Sequence, residues 1–551
     1  MTVPKILIVF IFISQTFLNT HDSFSQILIT GKIIDAQNLN PIEYANVGIK
    51  EKNVGTISKE HGSFRINIPQ ENKSDSLTIS CVGYHDESLH MQDLPAGEIV
   101  IIKLKEKTTQ LKQVLITGEK MVEKKYGIKR RAPIHFTDGI FKKDDSFEIG
   151  QVIHLGNSLA EITSLNIHIN SSRPDSASFR INFYRYDVDD HLPKERIIEK
   201  SILQRHPIRE GWLRFDLSNH NILIKGDVLV SLEFIPETNK DVKQILYEVK
   251  IGGSSKSYFR KSSLGQWTRP PHHYCLYVTA ITEKHAPEDM DEQETLPAIT
   301  LKSDFSKEPF NLFVRLPKTY SKDKTRVYPV IYLLDANAYF DAIANSADHY
   351  FRSKKDFNDP IIVGIGYENA YVMDSLRNRD YTFPKALPSD SFKISGQGDR
   401  FYEFIKSKVI PTIDSTYRTD KSSRTLAGHS LGGYFVLYSM TRQLTEPAVF
   451  RNFVAASPSI YYHDNYLIKK IESIPALHKD IDNVKLYLSI GELEISEDRS
   501  DNFRKLSAVL NDKAVNVQTK FYDKLEHMGT AIPTFEDGIK LFLSKSNSTY
   551  K

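Results

Sequence analysis

The sequence predicts a multidomain chain: two all-β sandwich domains, then one α/β domain whose mostly parallel sheet carries helices on both faces. Three observations predict it. At 551 residues the chain is too long for one hydrophobic core, because cores stop growing at about 250–300 residues. From residue 27 to about 282, apolar residues alternate in short runs separated by Gly, Pro, Asn and Asp, as antiparallel strands and tight turns require. From about Leu296 onward, short apolar runs alternate with helical periodicity, as a sheet covered on both faces requires.

The first 26 residues stand apart. Lys5 places a positive charge ahead of the apolar run Ile6–Ile13, and the small residues Ser23 and Ser25 precede Gln26. A charged start, a short apolar stretch and a small-residue exit predict a secretory signal cleaved just before Gln26. The run is too short to span a bilayer, which needs about 20 residues. The expected location is therefore exported, in the periplasm or at the outer membrane or cell surface.

Residues 27–107 read as short strands punctuated by Gly55, Gly62 and Gly83, a β-sandwich pattern. The segment GKIIDAQNLNPIEYANVGIKEKNVGTISKEHGSFRINIP, followed by ISCVGYHDE, resembles the carboxypeptidase-regulatory-like β-sandwich. That resemblance implies an accessory role without catalysis. Residues 108–140 are rich in Lys and Arg and weakly periodic, which predicts a solvated linker. Residues 141–284 return to strands (FEIGQVIHL, EITSLNIHIN, SFRINFYRYD, GWLRFDL, DVLVSLEFI, HYCLYVTAI). Their number suggests a second, jelly-roll-like sandwich. Tyr184, Tyr186, Trp212 and Trp267 are its candidates for stacking on sugar rings, although aromatics in such sandwiches more often fill the core.

The 72 basic and 69 acidic residues are interspersed, and the net charge of +3 gives no electrostatic reason for a nucleic-acid partner. The two cysteines, Cys81 and Cys275, fall in different predicted domains. They are expected to be buried free thiols, and they are too few for a zinc-cysteine centre. Catalysis is thus assigned to Ser, His and carboxylates, with no metal and no organic cofactor.

In residues 285–551 the α/β pattern places functional side chains just after strands. Gly428-His429-Ser430-Leu431-Gly432 is a G-x-S-x-G motif between a predicted strand and a predicted helix. That context fits a nucleophile on a sharp turn, with glycines where side chains would strike neighbouring backbone. A serine hydroxyl needs a base, and the chain order Ser, acid, His points to His527, the last histidine. The acid is assigned to Glu494 in GELE, with Glu492 as the alternative. One oxyanion donor is the amide of Leu431. The second is the amide of Ala336, with Asn337 as the alternative, in the loop after YPVIYLLD.

These residues carry a family resemblance. PVIYLLDANAYF, IIVGIGY, RNRDYTFP, AGHSLGGYFVLY, AASPSIYY, LSIGELE and His527, in that order, resemble the esterase D and enterochelin-esterase-like branch of the α/β-hydrolases. The resemblance implies ester hydrolysis through an acyl-enzyme, and assigns Ser430 and His527 their roles. It departs at Ala336, where relatives often have Gly, and the methyl group is expected to narrow the acyl pocket. Asn337, Tyr339 and Arg379 are assigned to the substrate, and Arg379 and Asp380 are expected to structure the substrate loop. The expected partner is a small-molecule or polysaccharide-linked ester: a siderophore trilactone, a feruloyl ester or an acetyl ester. Contact with carbohydrate or cell envelope is assigned to the β domains. The rival reading is a binding protein with a residual hydrolase fold.

Overall fold

The computed structural model describes residues 26–95, 97–107, 121–129, 134–136, 144–169, 176–236, 245–251, 256–270, 272–284, 296–350, 357–390, 392–475, 484–494, 497–513 and 515–544. The predicted signal segment lies outside them, Gln26 excepted.

The first unit holds two sheets, one of three strands and one of four. In the three-stranded sheet Gln26–Asp35 pairs antiparallel with Ser63–Pro69 and parallel with Ile99–Leu104. Their inward positions, among them Ile29, Ile33, Phe64, Ile66, Ile68, Ile102 and Leu104, join Val47, Leu77 and Ile79 of the other sheet in one core. Residues 144–146 and 262–266 also belong to this unit, which residue 107 therefore does not bound. Thr56 donates from Oγ1 to the Asp144 carbonyl at 2.7 Å, and the Ser263 amide donates to Asp145 Oδ1 at 2.9 Å.

The second unit contains the rest of the described chain. Its middle region is a pair of antiparallel sheets of six and eight strands. Ile149, Phe179, Ile181 and Leu232 from one, with Leu165, Ile167, Val249 and Val278 from the other, fill a shared core. Of the linker expected at 108–140, only residues 121–129 and 134–136 are described, and both pieces contain strand. Met121–Gly127 is an edge strand on Leu276–Glu283, and Ile134–Phe136 pairs with Tyr247–Ile251. Tyr126 is fully buried while Glu123 and Lys125 face solvent, the inward–outward alternation of a strand with a charged, self-protecting edge.

The aromatics considered for sugar stacking are largely committed inside the protein. Tyr184 is buried and donates to Glu148 at 3.0 Å, and Trp267 lies 4.7 Å from the Arg260 guanidinium carbon. Trp212 keeps 36% exposure and packs edge-on against His168 and Tyr277. Cys81 and Cys275 are both buried, one in each unit.

The C-terminal half is built on one eight-stranded sheet. Its strands are β1 (Ile299–Leu301), β2 (Phe310–Arg315), β3 (Tyr328–Leu333), β4 (Ile361–Tyr367), β5 (Thr419–His429), β6 (Asn452–Ala456), β7 (Lys485–Gly491) and β8 (Asn516–Tyr522). They lie in the order β1-β2-β4-β3-β5-β6-β7-β8. Pairing is antiparallel from β1 through β2 to β4 and parallel thereafter. Strands β3, β4 and β6 are buried at every position, as parallel strands covered on both faces must be.

The helices are α1 (Ala336–Tyr350), α2 (Ala370–Asp380), α3 (Gly398–Phe404), α4 (Ile410–Thr416), α5 (Leu431–Gln443), α6 (Tyr462–Glu472), α7 (Glu497–Asp512) and α8 (Ala531–Leu543). Helices α1 and α8 pack on one face through Ala336, Tyr339, Phe340, Phe535 and Ile539. Ile251 of the middle region joins that layer. On the other face Leu376, Phe401, Phe435, Ile468 and Phe503 share a core with alternate residues of the strands. Helix α5 is apolar around nearly its whole circumference and is buried accordingly. The sequence pattern did not indicate α2, whose segment was read as a loop. Val372, Met373 and Leu376 give it only a narrow apolar stripe toward the core.

Candidate active site

The site forms at the carboxyl ends of the parallel strands, where side chains can leave the sheet without breaking it. Strand β5 ends at His429, and Ser430 turns the chain into α5 with φ 60 and ψ −118. This left-handed conformation costs on the order of 1–3 kcal/mol for a residue with a side chain, and surrounding contacts hold it. The Ser430 amide donates to the Ala456 carbonyl at 2.9 Å, and the Ser430 carbonyl accepts from the Ser459 amide at 3.2 Å.

The glycines explain themselves by proximity. A Cβ on Gly428 would lie 2.5 Å from the Gly432 backbone, and one on Gly433 would lie 2.9 Å from the Ala456 carbonyl oxygen. At Gly432 the neighbour is not backbone, as expected from sequence, but the Asp335 carboxylate, 3.1 Å away.

Ser430, His527 and Glu494 form one hydrogen-bonded chain. His527 follows β8 in a short turn, and its Nε2 lies 2.9 Å from Ser430 Oγ. Its Nδ1 lies 2.6 Å from Glu494 Oε2. Glu494 follows β7, and its Oε1 accepts from Ser457 Oγ at 2.5 Å and from the Gly491 amide at 2.6 Å. Burial pushes the Glu494 carboxyl up, but the hydrogen bonds from His527, Ser457 and Gly491 outweigh it and hold the group below its ordinary value. Glu492, the alternative acid, accepts from the Lys524 amide at 2.8 Å, joining the segments that follow β7 and β8.

Behind the triad lie groups that sequence reasoning missed. His429 is fully enclosed. Its Nε2 donates to the His527 carbonyl at 2.8 Å, and its Nδ1 accepts from Tyr339 Oη at 2.9 Å. The carbonyl partner fixes the tautomer, because an oxygen without a proton can only accept. Burial, reinforced by nearby His527, holds the His429 imidazole well below its ordinary range, so it is neutral. Thr530 Oγ1 donates to the same His527 carbonyl at 2.8 Å and lies 2.7 Å from Ser457 Oγ. The backbone and the imidazole of His527 are thus anchored independently.

Ala336 and Leu431 are the first residues of α1 and α5. Their amides have no carbonyl partner within their own helices and lie at the positive ends of the helix dipoles. The Ala336 methyl is buried. It packs on β4, where a Cβ added to Gly364 would approach it to 2.7 Å.

The residues assigned to substrate have other partners. Asn337 clamps the end of β4, donating from Nδ2 to the Tyr367 carbonyl at 3.1 Å and accepting its amide at 2.7 Å. Tyr339 is buried against His429 and Phe535. Arg379 sits on α2, not in a loop, and its donors go to Asp380 at 2.7 Å, Ser306 at 2.8 Å and Glu308 at 3.3 Å. The guanidinium that reaches the nucleophile turn is that of Arg377. It meets Asp335 in a two-pronged pair at 2.9 and 2.8 Å and donates to the His429 carbonyl at 3.3 Å. Among the described residues no cluster of three or more His, Cys, Asp or Glu could hold a metal ion.

The chain is similar to known proteins in two regions. Residues 303–529 match the Esterase family model, and residues 29–116 match that of the CarboxypepD_reg-like domain. Ferri-bacillibactin esterase BesA of Bacillus subtilis (strain 168) is 34% identical over 224 residues, covering 38% of this chain and 76% of that protein. Apo-salmochelin esterase of Escherichia coli O6:H1 is 26% identical over 243 residues, covering 40% of this chain and 71% of that protein. A crystal structure of the BES protein from Bacillus cereus aligns with TM-score 0.40 at 24% identity, covering 48% of this chain and 99% of that one. The chain belongs to the esterase family, and it is a serine esterase preceded by a CarboxypepD_reg-like domain.

Proposed function

We propose that this chain is an exported hydrolase that opens an ester bond of a siderophore through an acyl-enzyme on Ser430. The observation that carries the chemistry is the continuous chain from Ser430 Oγ to His527 to Glu494, at 2.9 and 2.6 Å. His527 takes the Ser430 proton as Oγ attacks the ester carbonyl, and the Leu431 and Ala336 amides receive the oxyanion. Glu494 holds the imidazole in the required tautomer and stabilises its charged form. The protonated His527 then gives its proton to the departing alcohol. Water, deprotonated by the same base, releases the acyl group and restores Ser430.

The substrate class is supported by relatives that act on ferri-bacillibactin and salmochelin. Export is supported by the charge, apolar run and small residues of positions 1–26. The middle region reads as a jelly-roll-like accessory module on the count of its strands.

The test is a screen of the purified protein against a catecholate trilactone, a feruloyl ester and an acetyl ester, with Ser430→Ala as control. Preferred turnover of the trilactone, lost in Ser430→Ala, supports the proposal. Preference for the feruloyl or acetyl ester removes the siderophore assignment, and turnover by Ser430→Ala removes the mechanism.

A further inference from the structure

The geometry points to Arg377 as a positioning residue that staples the two halves of the oxyanion site together through Asp335 and the His429 carbonyl. This inference rests on the reading of Ser430 as the nucleophile and goes one level deeper. The two oxyanion amides belong to different turns. That of Leu431 starts α5 after β5, and that of Ala336 starts α1 after β3. Strands β3 and β5 pair in parallel, with Leu333 opposite Ala427. One further bond, from the Leu334 amide to the Ala427 carbonyl at 2.9 Å, ends the ladder before the two turns.

Arg377 links the two turns from a third element, α2. Nε and Nη2 hold both carboxylate oxygens of Asp335, the residue directly before Ala336, at 2.9 and 2.8 Å. Nη2 also donates to the carbonyl of His429, the residue directly before Ser430, at 3.3 Å. One planar group thus touches both turns. A guanidinium suits this role, because its donors are rigidly oriented and a lysine ammonium cannot match the fork.

Asp335 is itself constrained. It adopts φ 53, its side chain is 2% exposed, and its amide donates to Tyr381 Oη at 3.1 Å. A Cβ on Gly432 would stand 3.1 Å from its carboxylate, so Gly432 also serves to admit this carboxylate beneath the nucleophile turn. Asp335 is enclosed, and Arg377 directs its donors to Asp335 and to the His429 carbonyl, so their role is to place the amides. Misplaced donors lose stabilisation of the transition state more than of the bound ester.

The experiment compares wild type, Arg377→Lys, Tyr381→Phe and Ser430→Ala, using p-nitrophenyl acetate as substrate and phenylboronic acid as a probe. The boronic acid forms a tetrahedral adduct with the serine and engages the oxyanion donors. Arg377→Lys is expected to lower kcat about 10²-fold with KM within about threefold, and to weaken phenylboronic acid by about the same factor as kcat. Tyr381→Phe is expected to move both quantities in the same direction, by less. A kcat within about threefold of wild type in Arg377→Lys, or a loss of kcat with unchanged boronic acid affinity, overturns the inference. If Arg377→Lys does not fold, Tyr381→Phe decides, and unchanged boronic acid affinity there overturns it. A wild-type protein unreactive to a fluorophosphonate probe defeats the esterase reading itself, which is a different result from an active wild type with an unaffected Arg377→Lys.

Discussion

His429 donates its Nε2 hydrogen to the backbone carbonyl of His527 at 2.8 Å, so the residue before Ser430 supports the histidine whose Nε2 meets the Ser430 hydroxyl. This bond requires the neutral imidazole, with Nδ1 free to accept from Tyr339. Burial keeps His429 in that form well below its ordinary value of 6.5.

A consequence for stability follows from the sign of that shift. Below about pH 6.5 the unfolded chain protonates this histidine and the folded chain does not. Stability should therefore fall as pH drops from about 6.5, with this group contributing up to about 1.4 kcal/mol per pH unit. His429→Gln, which can donate to the same carbonyl, should flatten that part of the profile. Urea melts between about pH 7.5 and 5 measure it, and parallel curves for the two proteins would refute it.

The two loop glutamates should separate cleanly. Glu494→Gln should lower kcat by about 10²–10⁴-fold, because the imidazole loses its orienting anion, while Glu492→Gln stays within about threefold. The Glu494 carboxyl lies below its ordinary 4.5. Its contribution to stability is complete above that value and is lost as pH falls through the lower, folded-state value. The stability gap between wild type and Glu494→Gln should accordingly close in acid, and a gap that widens there would contradict the assignment.

Ala336→Gly should leave acyl-chain preference unchanged, because the methyl packs on Gly364 and Gly366. Removing one buried methyl should cost about 1 kcal/mol, with a further contribution from backbone freedom at the start of α1. A chain-length series of p-nitrophenyl esters checks the first point and a thermal melt the second. A shift of preference toward longer acyl chains would return this residue to the substrate pocket.

Gly428→Ala should abolish turnover, since the new methyl would stand 2.5 Å from the Gly432 backbone and the nucleophile turn would have to open. Labelling by a fluorophosphonate should vanish with it. An active Gly428→Ala enzyme would mean that the turn is less tightly packed than its geometry indicates.

Tyr126→Ala should destabilise the middle region by about 3–5 kcal/mol, the cost of emptying a buried aromatic site, whereas Lys125→Ala should change stability by about 0.5 kcal/mol or less. Chemical denaturation separates the two, and equal effects would argue against a strand at Met121–Gly127.

Much of the catalytic half was legible because each role was tied to a place just past a strand. Ser430, Glu494 and His527 follow β5, β7 and β8 in the order that such a sheet imposes. What escaped notice depended on contacts between distant segments. The Arg377–Asp335 pair spans 42 residues, and no spacing rule connects its members. Nothing in the sequence marks Arg377, because α2 shows only a narrow apolar stripe. Residues two apart on a helix point about 200° from each other, so Arg377 turns inward to Asp335 while Arg379 binds Ser306 and Glu308. Met121–Gly127 was obscured by its charge. Its lysines and glutamate suggested a solvated linker, and Tyr126 alone marked the inner face.

That edge strand has a consequence for how the molecule is made. Met121–Gly127 pairs with Leu276–Glu283, so the strand that opens the middle region waits for the strand that closes it. During synthesis the early strand emerges long before its partner, and the sheet cannot be completed until the final strand before the hydrolase half has left the ribosome. Pairings this far apart in sequence form slowly. The charged outer face of the waiting strand, with Glu123 and Lys125, guards it against wrong partners in the interval.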